Sequence, residues 1–164
     1  MTRYARYDSP LGPMYATAED DGITHIEFVG AKHAPEARPD WIEDPRHPGL
    51  SACGAQLAEY FAGARTEFEL PLAPRGSQFQ LRVWREIARV PYGQTISYAE
   101  LARRAGAPGQ ARAAGAATGR NPVSLAIPCH RIVGSDGSLT GYAGGLERKR
   151  NLLELEGALQ RSLV

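Results

Sequence analysis

The sequence is sparing with the residues that staple, anchor or address a protein. Of 164 residues only two are cysteine, Cys53 and Cys129. That is too few for a disulfide framework or a four-thiolate metal site, so free thiols in a reducing compartment are expected. No run of eighteen apolar residues occurs, which argues against a membrane-spanning helix. The opening residues, Met1-Thr2-Arg3-Tyr4-Ala5-Arg6, lack the apolar core and small-residue cleavage site of a secretory signal, and a cytoplasmic location is the expectation. The glycines at 141, 144 and 145 are followed by no Gly-Lys-Ser/Thr, so they do not form a P-loop.

Charge is present but unevenly spread. Before Arg75 there are six Lys/Arg and twelve Asp/Glu, a net of −6; from Arg75 onward there are thirteen and six, a net of +7, giving the overall +1. A basic half can concentrate on a polyanion through phosphate contacts. Two solvated faces of one domain would produce the same imbalance.

The first half reads as an antiparallel sheet followed by a helix. Extended segments are expected at 3–8, 14–18 and 23–29, with turns at 9–13 and 19–22; Asp21-Gly22 tolerates the positive φ of a tight hairpin. Four prolines among charges make 30–48 a surface excursion, tacked to the core by Trp41. Leu50, Cys53, Leu57, Tyr60 and Phe61 recur at helical spacing before Gly63, which places Cys53 on a buried face as a small inert hydrophobe. Residues 65–70 read as a further strand and 71–76 as a linker.

The second half reads as mostly helical. Ser77 and Gln80 form a capping-box pattern ahead of Phe79, Val83, Trp84, Ile87 and Val90, and Pro91 stops that helix. Ser97 and Glu100 open another, broken at 106–109. A second short helix, 110–120, then completes a helix-turn-helix pattern. Apart from Gln110, Arg112 and Arg120, this helix is built from Ala, Gly and Thr. It either packs closely on a neighbour or lies smoothly against a nucleic-acid groove, with Arg112 the long side chain able to enter the base stack. Val123 to Ile127 reads as a short extended run. The 140–145 loop either caps the last helix or brings backbone close to a ligand. In that helix, ended by Gly157, Lys149, Leu152, Leu153 and Glu156 share one face, and its two charges need partners if the face is buried.

The chemistry is expected at Ile127-Pro128-Cys129-His130-Arg131-Ile132. A thiol reacts as its thiolate, and an imidazole and a guanidinium beside it favour that form. Neighbours in sequence seldom touch, however, and such a pair taken alone is more often incidental than catalytic.

From about Phe79 through Gly157 the chain resembles the O6-alkylguanine-DNA alkyltransferases, also called methylated-DNA–protein-cysteine methyltransferases. The resemblance rests on Ile127 to Val133, which is similar to the family's active-site signature. It also rests on Pro91-Tyr92-Gly93, Ile96-Ser97-Tyr98, Ala111-Arg112-Ala113, Asn121-Pro122, Gly141-Tyr142, Gly144-Gly145-Leu146 and Leu153-Glu154 to Gly157, all in register. It implies an α+β chain: a small N-terminal α/β domain, 1–74, of mainly structural role, then a mostly helical C-terminal domain, 75–164, with a winged helix-turn-helix that binds DNA and carries catalysis.

What the resemblance implies about activity is direct-reversal repair. An O6-alkylguanine is flipped out of double-stranded DNA, bound through the minor groove, and its alkyl group moves irreversibly to Cys129. His130 acts through a water, Glu156 holds the imidazole, Tyr98 stabilises the departing guanine, and Lys149 helps position this machinery. Arg112 fills the space of the flipped nucleotide, with Ala111, Ala113, Tyr98, Gly115 and Arg120 on the DNA side. Tyr142, Ala143, Gly144, Ile132, Asn121 and Arg131 are expected around the pocket; Asn121 ties the helix-turn-helix to the active-site segment. Some members carry serine where this chain has Ala143, which leaves the backbone N–H to reach O6. No cofactor is implied, and no metal: Cys53, His25, His33 and His47 make no four-ligand set. The resemblance fits a monomer in solution with no membrane partner, and leaves cooperative packing on DNA open. Relatives that merely bind lesions lack the cysteine, so Cys129 separates a transferase from a non-enzymatic sensor. A Cys-His hydrolase would need an oxyanion hole and cleft from other segments.

Overall fold

The computed structural model describes residues 1–160. The chain is α+β and divides into two compact units, one of residues 1–75 with 122–126, the other of 76–121 with the residues from 127 onward.

In the first unit, β1 (Arg3–Tyr7), β2 (Met14–Glu19) and β3 (Gly22–Phe28) form an antiparallel meander. Gly22 lies at φ 143°, where a Cβ would collide with Pro71 O, so the hairpin requires glycine. The alternation puts Ala5, Met14, Ala16, Ile26 and Phe28 on one buried face, and helix α1 (Pro48–Phe61) packs there with Leu50, Cys53, Leu57 and Tyr60. Pro48 occupies the first helical turn and the His47 ring accepts from Gly49 N–H, so α1 begins at the end of the Pro-rich excursion. That excursion also contains a strand, β4 (Ile42–Glu43), parallel to β1; beside it Trp41 packs on Tyr4 and Tyr15 with ring centroids 6.0 and 6.4 Å apart.

Two expectations are corrected here. Residues 65–70 form no strand, because the Gln56 side chain takes the place of a neighbouring strand. Its Nε2 donates to Glu69 O (3.1 Å) and its Oε1 accepts from Glu69 N (2.8 Å). The ladder-like contact comes instead from the supposed linker, where Pro71 O and Ala73 N bond Ile23, each at 2.7 Å. Nor is Val123 to Ile127 uniformly extended. Val123 bridges Ile26 alongside β3, then the chain turns at buried Leu125 with φ 72°, a conformation costly for a side chain of that size.

The second unit is built on α2 (Gln78–Ala88), α3 (Tyr98–Arg104), α4 (Ala111–Gly119) and α5 (Leu146–Leu155). Both bonds of the Ser77/Gln80 capping box form. At Ser97 half of the box forms: its hydroxyl accepts from Glu100 N, while the Glu100 carboxylate turns to Arg103 and Arg104. Helices α3 and α4, joined by a turn, pack as a helix-turn-helix against α2, and Trp84 Nε1 on α2 donates to Ala117 O on α4 over 2.8 Å. β5 (Ile96–Ser97) pairs in parallel with β6 (Ile132–Val133). No helix among the described residues is long and apolar enough to cross a membrane.

Candidate active site

The local sequence sets Cys129 at the start of a single 3-10 turn, Cys129–Arg131, that leads directly into β6. Its approach is held by Asn121, whose buried Nδ2 donates to Ile127 O over 2.7 Å. Cys129 is 5% exposed and His130 fully buried. α5 supplies the rest, because Gly157 at φ 74° ends the helix with Gly157 N bonded to Glu154 O and Ala158 N to Leu153 O. These two hydrogen bonds fix Glu156 as the last residue before the reversal.

A carboxylate at a helix C-terminus is disfavoured by the helix dipole. Here three donors compensate. His130 Nε2 lies 2.8 Å from Glu156 Oε2, Arg131 Nε donates to Oε1 (2.8 Å), and Arg131 Nη2 donates to Oε2 (2.9 Å). Burial alone would push the Glu156 carboxyl up; these hydrogen bonds and charges outweigh it and hold the group at about 2. An ionised carboxylate only accepts, so the facing Nε2 carries the imidazole proton. Burial outweighs the carboxylate and lowers the His130 pKa, leaving a neutral ring. Its Nδ1 is then an acceptor, buried and without a hydrogen-bond partner among the described residues.

Lys149 sits on the same buried face of α5 as Leu152 and Leu153. Its three ammonium hydrogens meet three carbonyls, Ile132 O (2.6 Å), Thr140 O and Gly141 O (both 3.1 Å), with the Tyr98 hydroxyl at 3.4 Å. It therefore ties the 139–145 loop to β6. Burial brings its pKa down to about 8, although the nearby Cys129 acts in the opposite sense when ionised. The Tyr98 hydroxyl donates to Thr140 O over 2.9 Å, and burial raises its pKa.

The structure thus brings together Cys129, His130, Glu156, Lys149, Tyr98, Ile132 and Asn121, with Tyr142, Ala143 and Gly144 half-buried in the adjoining loop. Arg131, expected around the pocket, commits its donors to protein groups. It is buried, with Nη1 on Val90 O (2.7 Å), two bonds on Glu156, and its Cζ 5.6 Å from the Tyr92 ring centroid. Sequence reading missed Val90 and Tyr92 as supports; the signal available was Pro91-Tyr92-Gly93 beside the end of α2. On α4, Arg112 is exposed and Ala111, Ala113 and Gly115 half-buried, and Arg120, at its C-cap, is exposed. The missing side chain of Gly115 points at the Tyr98 ring, 3.6 Å from where a Cβ would stand. No group of three or more His, Cys, Asp or Glu among the described residues is arranged to hold a metal ion.

Comparison with known proteins bears on this geometry. Residues 2–74 match the model described as 6-O-methylguanine DNA methyltransferase, ribonuclease-like domain, and residues 78–158 the one described as 6-O-methylguanine DNA methyltransferase, DNA binding domain. The methylated-DNA–protein-cysteine methyltransferase of Mycolicibacterium paratuberculosis is 47% identical over 156 residues, 95% of this chain and 93% of that protein. Its counterpart in Methanosarcina acetivorans is 40% identical over 155 residues, covering 94% and 98%. The crystal structure of Mycobacterium tuberculosis OGT in complex with DNA is similar with a TM-score of 0.86 and 44% identity, over 95% of this chain and 93% of that one.

Proposed function

Because the chain belongs to the 6-O-methylguanine DNA methyltransferase family, we propose that Cys129 accepts the alkyl group of an O6-alkylguanine flipped from double-stranded DNA, in a single irreversible turnover. The activity is DNA repair by alkyl transfer to a protein cysteine. The observation that carries the residue assignment is the buried Nδ1 of His130, an acceptor on the residue next to Cys129 in a ring whose other nitrogen is committed to Glu156.

In this reading a water bridges Nδ1 and the thiol, a fit for a buried polar atom with no protein partner. The thiol proton passes through that water to His130, and the thiolate attacks the alkyl carbon. The S–C bond forms as the C–O6 bond breaks, and the electron pair leaves with guanine. Charge developing on guanine is met by the Tyr98 hydroxyl, which exchanges its Thr140 acceptor for the base, while Lys149 holds Thr140 and Gly141 in place. α4 lies in the minor groove with Arg112 taking the vacated space in the stack. Ala111, Ala113 and Arg120 adjoin the backbone, and Tyr142, Ala143 and Gly144 wall the base. The protein acts as a monomer, and no cofactor enters, since the acceptor is the chain itself.

Intact-mass analysis after exposure to an O6-methylguanine duplex tests this. The expected result is one added methyl group per chain, mapped to Cys129 and absent from Cys129→Ala. Methylation of Cys53, or repaired guanine in excess of protein, overturns it; binding without any mass gain would leave a lesion sensor.

A further inference from the structure

We propose that Arg131 is a positioning residue for the transfer: its guanidinium fixes the Glu156 carboxylate in the orientation that makes His130 a donor at Nε2 and an acceptor at Nδ1. The inference rests on the alkyl-transfer reading above. The terminal torsion of a glutamate is broad, so a carboxylate held by one imidazole alone could turn either oxygen, or neither, toward the ring. Two parallel bonds from Arg131, Nε to Oε1 and Nη2 to Oε2, fix its plane. The guanidinium is itself fixed, since Nη1 is spent on Val90 O and Tyr92 covers its face. The Glu156 side chain has no exposed surface and that of Arg131 is 7% exposed, so water does not compete for these bonds.

The clamp also sets charge. The charged groups acting on His130 are Glu156 and Lys149 from α5 and Arg131 from its own turn, and Tyr92, from the loop after α2, packs on Arg131. Of these, Glu156 draws a proton onto the ring, while Arg131 and Lys149 oppose it. Removing the Arg131 cation leaves the carboxylate unopposed at close range, and an imidazolium has no acceptor nitrogen with which to serve the thiol.

The test uses the full chain with Arg131→Met and Arg131→Lys, reading the His130 titration by nitrogen-15 NMR and the pH dependence of single-turnover methyl transfer. In Arg131→Met the His130 midpoint should rise by roughly 1–3 pH units, and the acid limb of the transfer rate should move with it. Arg131→Lys, which keeps the charge without the fork, should restore the midpoint toward the unaltered value while transfer stays at least about tenfold slow. Unmoved midpoint and acid limb in Arg131→Met, with a lower melting temperature alone, overturn the proposal. So does a Lys variant that transfers at the unaltered rate at every pH, a result readable even if the Met variant fails to fold. The titration needs no alkyl donor, so absence of transfer in the unaltered protein would sink the functional reading separately.

Discussion

His130 Nε2 lies 2.8 Å from Glu156 Oε2, and neither side chain has exposed surface. Twenty-six positions separate them in sequence, so the pair that the proposed mechanism uses to accept the thiol proton exists only once α5 has docked on the 3-10 turn. Stability and chemistry should therefore share one acid dependence.

The sign of that dependence follows from the shifts. The Glu156 carboxyl sits at about 2, below its ordinary 4.5, and His130 below its ordinary 6.5. In both cases the unfolded chain binds the proton first as pH falls, so the contribution of this pair to stability is full above pH 6.5, declines below it, and declines further from 4.5 toward 2. Melting temperature measured across pH should show this. Glu156→Gln should lose the lower part of the slope while starting about 3–5 kcal/mol less stable, because Arg131 is left buried without its counter-charge. A variant as stable as the parent at neutral pH would contradict the account.

The two thiols should separate chemically. Cys53 is fully buried on α1, and burial pushes its pKa up to about 12. Cys129 opens the 3-10 turn and keeps 5% exposure. Iodoacetamide applied to the folded protein should label Cys129 alone, with Cys53 reacting after unfolding; peptide mapping reads the ratio, and early labelling of Cys53 would refute it.

Elements whose cause is local were legible in the sequence. The Ser77/Gln80 box, the Asp21-Gly22 hairpin and the Gly157 stop form because the residues that need one another are neighbours in the chain. Residue type marks out Cys129 and His130, and helical spacing marks out Glu156, but their joining into one site is reached through resemblance, since nothing local announces a partner so far along. What stayed illegible depends on distant partners. Gln56 replaces a strand beside Glu69, Leu72 takes the bridge to Ile23, and Leu125 adopts positive φ within a turn beside β3. Arg131 reads as a pocket residue in sequence because its neighbour is the cysteine, yet its donors point to Val90 and Glu156.

Glu27 should respond to pH in the opposite sense. It is buried on β3 with the Tyr15 hydroxyl donating to it over 3.1 Å, and burial pushes its carboxyl up to about 8. Here the folded state keeps a proton that the unfolded chain releases from about 4.5 upward, so this contribution is full below 4.5 and is lost as pH rises through 8. Glu27→Gln keeps the shape and the acceptor for Tyr15 without the charge. It should stabilise the protein by up to about 5 kcal/mol above pH 8 and change little below pH 4.5; chemical denaturation at the two pH values decides, and equal effects at both would refute the assignment.

The helix α4 allows duplex recognition to be tested apart from chemistry. Arg112 is exposed and outside the hydrogen-bond network of His130, Glu156 and Lys149, so Arg112→Ala should leave melting temperature and the reaction of Cys129 with a free alkylated base unchanged. Transfer from an alkylated duplex should fall by about 10- to 100-fold, since holding a base out of the stack costs a few kcal/mol and each 1.4 kcal/mol is tenfold. Gly115 makes the control on the same helix. A Cβ there meets the Tyr98 ring at 3.6 Å, ordinary contact, and replaces a flexible helical residue. Gly115→Ala should therefore raise stability by about 0.5–1 kcal/mol with little effect on duplex transfer. If Gly115→Ala instead cost as much transfer as Arg112→Ala, the smoothness of α4, rather than the arginine it carries, would be what the duplex reads.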